Sequence, residues 1–170
     1  MNPCVRWVCV CGLLVASCQP ASSPVTVANA AGAATATNRF GFDLYDELRK
    51  TPGNLIFSPA SAEVALAMAS AGARGDTLDE MARVLRVVHL DDAHTSFGSL
   101  LDSLNGRDGD SGVTIHLANR LWGQAGTAFR PAFLAVMSDR YRAPLGEVDF
   151  ARAPAAAGAA INAWAARETH

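Results

Sequence analysis

From Asn38 onward, apolar positions recur at helical spacing, stop at proline or glycine, and start again. Phe40, Leu44, Tyr45 and Leu48 put one apolar face on a predicted helix over 38–49. Thr51-Pro52-Gly53 ends it. Leu55-Ile56-Phe57 predicts a short strand running into Ser58-Pro59, where a serine suits the N-cap and a proline the first helical position. The helix that follows, to Ala71, is almost wholly small or apolar, with Glu63 its only charge. That pattern predicts a helix buried on all sides, and Gly72 closes it.

The next stretch opens on Thr77-Leu78-Asp79-Glu80, a hydroxyl followed three residues on by an acid, which predicts a capping box with Thr77 as N-cap. Leu78, Met81, Val84 and Leu85 supply its apolar face. A further helix over 91–104 turns Phe97, Leu100, Leu101 and Leu104 inward. Gly- and Asp-rich 105–112 predicts a loop. Val113, Ile115 and Leu117 then alternate with Thr114 and His116, predicting a strand to about Trp122. Pro131 opens a helix carrying Phe133, Leu134, Met137 and Tyr141. A short strand is expected near 148–150, and Pro154 opens a last helix containing Ile161 and Trp164. Many short helices, few strands and no internal repeat predict an α+β fold.

The first 37 residues differ in kind. An apolar stretch from Trp7 to Ala16, with Arg6 the one positive charge before it, is too short to span a bilayer but suits a signal-peptide core. Val15-Ala16-Ser17-Cys18 resembles a bacterial lipobox, in which Cys18 becomes the lipidated first residue after cleavage. Lipidation on Cys18 and ordinary cleaved secretion both remain open, and both place the body outside the cytoplasm. Residues 19–37 contain no charge and little to bury, so they read as a low-complexity linker. The expected domains are therefore a signal at 1–18, a linker at 19–37 and a folded body at 38–170.

Composition narrows function. The chain has 170 residues, half of them apolar, and a formal net charge of −2. That gives no basic face for a nucleic acid. All four cysteines fall within the first eighteen residues, so no disulfide framework is expected in the body. Ser58-Pro59-Ala60-Ser61 lacks the lysine of a Ser-x-x-Lys site, and no Gly-x-Ser-x-Gly occurs. His89, Asp91, Asp92 and His94 read as a solvated helix start, because histidines five apart share a helix face poorly. His116 reads as an outward polar residue on a strand. The run from Arg107 to Asp110 is too short for a calcium loop. No catalytic site, metal or cofactor is expected.

Taken in order, several of these stretches resemble one known family. They are Asn54-Leu55-Ile56-Phe57-Ser58-Pro59-Ala60-Ser61, Ala65-Leu66-Ala67-Met68, and Gly72 through Thr77 with Glu80-Met81. Further along come Ala118-Asn119-Arg120-Leu121-Trp122, Tyr141-Arg142-Ala143, Val148-Asp149-Phe150 and Ile161-Asn162-Ala163-Trp164. In this order and spacing they resemble the serpins, protease inhibitors, over 38–170. The resemblance, rather than any spacing, implies the N-terminal portion of a serpin fold, incomplete: helices A to F, part of the central sheet A and one strand of sheet B. It implies that 113–122 is a sheet A strand and that the helix from Pro154 lies across that sheet.

It also implies a mechanism. A serpin offers a bait loop to a serine or cysteine protease, and the cleaved loop then inserts into sheet A, distorting the acyl-enzyme. Ser58 and Ser61 match the shutter region, beneath the place where sheet A opens, with Ser58 expected to cap its helix and Ser61 to bond nearby backbone. The family motif residues carried over are Asn54, Pro59, Gly72, Thr77, Glu80, Asn119, Phe150, Asn162 and Trp164. The reactive loop is expected beyond this sequence. Some serpins bind heparin through a basic fourth helix, but 91–104 contains no Lys or Arg, so heparin is not an expected partner. Two readings follow: a surface-tethered inhibitor of serine or cysteine proteases, or a lipid-anchored, non-inhibitory fragment acting at most as an interaction module.

Overall fold

The computed structural model describes residues 28–105 and 115–169. Among them are six α-helices and one two-stranded sheet. The signal segment with Cys18, the expected linker up to residue 27 and most of the Gly/Asp loop lie outside the described residues.

Helix α1 spans Ala30–Leu48. It begins eight residues earlier than the apolar spacing predicts, so the end of the expected linker is helix. Asn29 caps it, its side chain accepting a hydrogen bond of 2.9 Å from the Gly32 N–H. Ala33 and Ala36 are fully buried there. Their small size, which read as linker composition, lets α1 approach its neighbours closely. The predicted inward face is corrected at the other end: Phe40 is buried, but Tyr45 and Leu48 are exposed as the helix runs past the core.

Helix α2, Pro59–Ser70, starts where Ser58 and Pro59 put it. It is not buried on all sides. Val64, Ala67 and Met68 are inside, whereas Leu66 is 40% exposed. Leu55 to Phe57 run extended into it without a partner strand among the described residues, so the expected strand is not formed. Ile56 is almost wholly exposed there. A strand needs a neighbour for its N–H and C=O groups, and apolar residues alone do not supply one.

Helix α3, Asp76–Val84, has Gly75 as its N-cap at φ +57°, with no side-chain cap. The expected capping box is therefore not made: Thr77 lies inside the first turn. The helix closes with Arg86 at φ +58° and the Val87 N–H bonded to the Ala82 carbonyl, the six-to-one bond of a Schellman ending.

Helix α4, Leu90–Asn105, carries the largest buried face, including Ala93, Phe97, Gly98, Leu100 and Leu101. It packs on α1 and on α5, Pro131–Tyr141, while α1 also packs on α2. Met68, Leu85, Phe97 and Met137 interlock between these helices as the core.

The sheet is smaller than predicted. Strand β1, Trp122–Gln124, pairs in parallel with β2, Gly146–Val148, in the register Trp122 to Gly146 and Gln124 to Val148. Parallel pairing needs a crossover, and α5 provides it. Within the predicted strand at 113–122, the described part before Trp122 has no ladder; instead the Asn105 amide holds it from the side. Leu117 N–H donates to Asn105 Oδ1 at 2.7 Å, and Asn105 Nδ2 donates to the Leu117 carbonyl at 3.0 Å. The strand expected at 148–150 sits two residues earlier, because Asp149 leaves it to start a turn. Helix α6, Pro154–Thr169, lies against the sheet through Trp164, whose ring meets Trp122 edge-on at 6.2 Å.

Candidate functional site

Two serines organise the start of α2. Ser58 is in extended conformation, and its Oγ accepts the Ser61 N–H at 3.3 Å, the N-cap bond expected of it. The same hydroxyl donates to Ser61 Oγ at 3.0 Å. Ser61 thus bonds its partner serine through its side chain, where a bond to neighbouring backbone was expected. Pro59 sits at the first helical position against Gly41 of α1, where an added β-carbon would fall 2.9 Å from the proline ring. Glycine at 41 lets α1 pass this close to the capped end of α2.

The second element is the small sheet with the turn behind it. Gln124 Nε2 donates to Asp149 Oδ1 at 2.9 Å, and the Ala151 N–H donates to Gln124 Oε1 at 3.1 Å. Asp149 Oδ1 also accepts the Arg152 N–H at 2.9 Å. The Gln124 bond first, then the backbone donors, hold the Asp149 carboxyl below its ordinary range. One glutamine and one aspartate therefore tie β1 to the start of α6. Arg120 lies over the Trp122 ring, 4.5 Å from its centre.

A cleft of about 350 Å³ opens between α4, the 116–120 segment, the end of α5 and α6. His116, Asn119, Arg120 and Arg142 line it, with the carboxylates of Asp102 and Glu168. Arg142 pairs with Asp102 at 3.2 Å, and His116 lies 3.4 Å from Glu168, so its charges largely compensate one another.

The family motif residues do not converge on one site. Asn54 is exposed on the extended lead-in, Gly72 is exposed just past α2, and Asn162 is exposed on α6. Thr77 and Glu80 border an apolar groove with Leu66, Met81, Val84 and Leu85. Asn119 lines the cleft, Trp164 packs on Trp122, and Phe150 is 43% exposed. These residues mark joints between elements, and no cluster of them resembles catalytic machinery. No group of three or more His, Cys, Asp or Glu among the described residues is placed to hold a metal.

Sequence reasoning missed a buried polar cluster. His94, expected to be solvated, is 5% exposed; it occupies the inward face of α4 because α5 covers that end of the helix. Its Nδ1 lies 2.7 Å from the Tyr141 hydroxyl, and burial lowers its pKa below the usual histidine value. Tyr141 is raised by burial and then by the charge of Glu63. Glu63 itself is fully buried. The signal available was Glu63, the one charge in an otherwise apolar helix.

The family profile for serpin (serine protease inhibitor) matches residues 35–170. An uncharacterized serpin-like protein of Thermococcus kodakarensis is 44% identical over 136 residues, covering 79% of this chain and 32% of that protein. The leukocyte elastase inhibitor of Bos taurus is 40% identical over 136 residues, covering 79% of this chain and 35% of that protein. A solved Arabidopsis serpin in its native stressed conformation superposes with a TM-score of 0.70 at 27% identity, covering 81% of this chain and 36% of that one. The chain spans about a third of the length of these relatives. The α+β arrangement of six helices and a small parallel sheet is thus the N-terminal portion of a serpin fold, and the chain belongs to the serpin family.

Proposed function

We propose that this chain is the first part of an inhibitor that traps serine or cysteine proteases by inserting a cleaved reactive loop into sheet A. The observation that carries the reading is the joint of Ser58, Ser61 and Pro59 at the start of α2, in a chain that superposes on a serpin in its stressed conformation. A capped, closely seated α2 gives sheet A a firm base to open against. The leukocyte elastase inhibitors among its relatives favour a protease as partner. Its role is binding and trapping rather than catalysis. Heparin is not its activator, because α4 has no Lys or Arg. The lipobox-like end at Cys18 supports attachment to a bacterial cell envelope, with plain secretion as the other route out of the cytoplasm.

A second reading has its own support. Phe42, Ile56, Leu66, Val84 and Val88 are each exposed, large apolar side chains left open to solvent. A chain that ended at His170 would be the lipid-anchored, non-inhibitory fragment, at most an interaction module, and would aggregate or require a partner. Reading the coding sequence past the codon for His170 separates the two. An open frame continuing into further sheet strands and a hinge of small residues is expected; a stop codon there removes the inhibitor function.

A further inference from the structure

Glu63 is a buried carboxyl with no cation to answer it. The side chain is fully buried; neither of its oxygens makes a hydrogen bond of good geometry, and the Thr37 hydroxyl beside it is the one donor that pulls it toward the ionised form, against the larger effect of burial. Val64, Ala67 and Met68 of the same helix belong to the apolar core. An ionised carboxylate in such a place lacks water and a cation and has one hydroxyl at most, whereas the neutral acid is tolerated far better.

The groups facing it from each packed element bring no positive charge to it. Helix α1 contributes Thr37, whose hydroxyl favours the ionised form, though burial outweighs it. From α5 comes Tyr141, a phenol that burial first and then the Glu63 charge keep protonated, so it brings no charge. From α4 comes His94, bonded to Tyr141, its pKa lowered by burial and subject to the opposing charges of Asp91 and Arg140. On α3, Asp76, Asp79, Glu80 and Arg83 are all exposed. The Arg86 guanidinium pairs with Asp43 of α1 at 2.6 Å.

We propose that α2 is held in its seat by a proton: the seat formed by α1, α4 and α5 closes only around a neutral Glu63, so opening of α2 releases that proton and rising pH favours the open state. The device goes beyond the inhibitor reading and stands whether or not a reactive loop follows. It would nonetheless act on the helix whose first turn carries Ser58 and Ser61. Burial places the Glu63 carboxyl at about 7, against 4.5 in solvent. Opening should therefore grow easier from about pH 5 up to about pH 7 and level off above it.

The test is amide hydrogen exchange of α2 in the full chain, expressed as protection factors at pH 5 to 8, for wild type and Glu63→Gln. The wild-type opening constant, divided by that of the variant, is expected to rise about seventyfold over that range, a ratio in which the His94 contribution cancels. Equal pH dependence in the two proteins overturns the proposal. Should the variant fail to fold, a carbon-13 titration of the wild-type glutamates decides. One δ-carbon titrating near 7 supports the latch, and all of them titrating below 5 contradict it.

Discussion

The backbone carbonyl of Arg140 occupies the space that a β-carbon on Gly98 would need, so α4 and α5 meet there backbone to side-chain-free backbone. Each helix is covered by the other at that point, and neither can shift without moving the core residues Phe97 and Met137. Gly98→Ala is expected to destabilise the full-length protein by about 1–3 kcal/mol, the usual cost of overpacking a close contact. Urea unfolding measures it, and an unchanged midpoint would show that the two helices do not approach this closely.

Ser58→Ala removes the cap of α2 and should cost about 1 kcal/mol, visible as a lower melting temperature. Ser58→Gly, which leaves the N–H groups open to water, should cost only a few tenths. If alanine and glycine behave alike, the capping bond is not what the serine contributes.

The His94–Tyr141 pair has a pH signature of its own. His94 titrates below its ordinary value in the fold, so the folded state resists the proton that the unfolded chain accepts. Its contribution is therefore fully present above about pH 6.5 and is lost as pH falls through the lowered value. His94→Gln should flatten the acid side of the stability profile measured by denaturant midpoints. Tyr141→Phe, which leaves Nδ1 buried without a partner, should cost about 1–3 kcal/mol at pH 7.5.

Heparin should not accelerate inhibition by the full-length protein, since the sequence of α4 from Leu90 to Asn105 offers no cation. Association rates with and without the polysaccharide decide the point. A large acceleration would place a basic surface somewhere other than this helix.

Much of the fold was legible because it depends on local chemistry. Proline at 59, 131 and 154, and a serine before the first of them, fixed three helix starts to the residue. What was illegible depends on neighbours. Ala33 and Ala36 look the same in a linker as in a tight helix contact, and only the packing of α1 on its neighbours α4 and α2 makes them core. Leu55 to Phe57 have strand composition but no described strand beside them. Thr77 through Glu80 fit a capping box, yet Gly75 at positive φ starts the helix earlier. The serines of the α2 joint were named from family resemblance, and their cap was readable from Ser-Pro alone. The polar cluster of Glu63, Tyr141 and His94 is spread over 79 residues of sequence and comes together only when α2, α4 and α5 pack.

The most direct test of the inhibitor reading is to mix the protein made from its complete reading frame with serine and cysteine proteases and run the products on a denaturing gel. The account predicts a complex with at least one of them that survives boiling in detergent, because the acyl bond to the trapped enzyme is never hydrolysed. Clean cleavage by every protease that reaches the protein, with full protease activity left and no such complex, would contradict it.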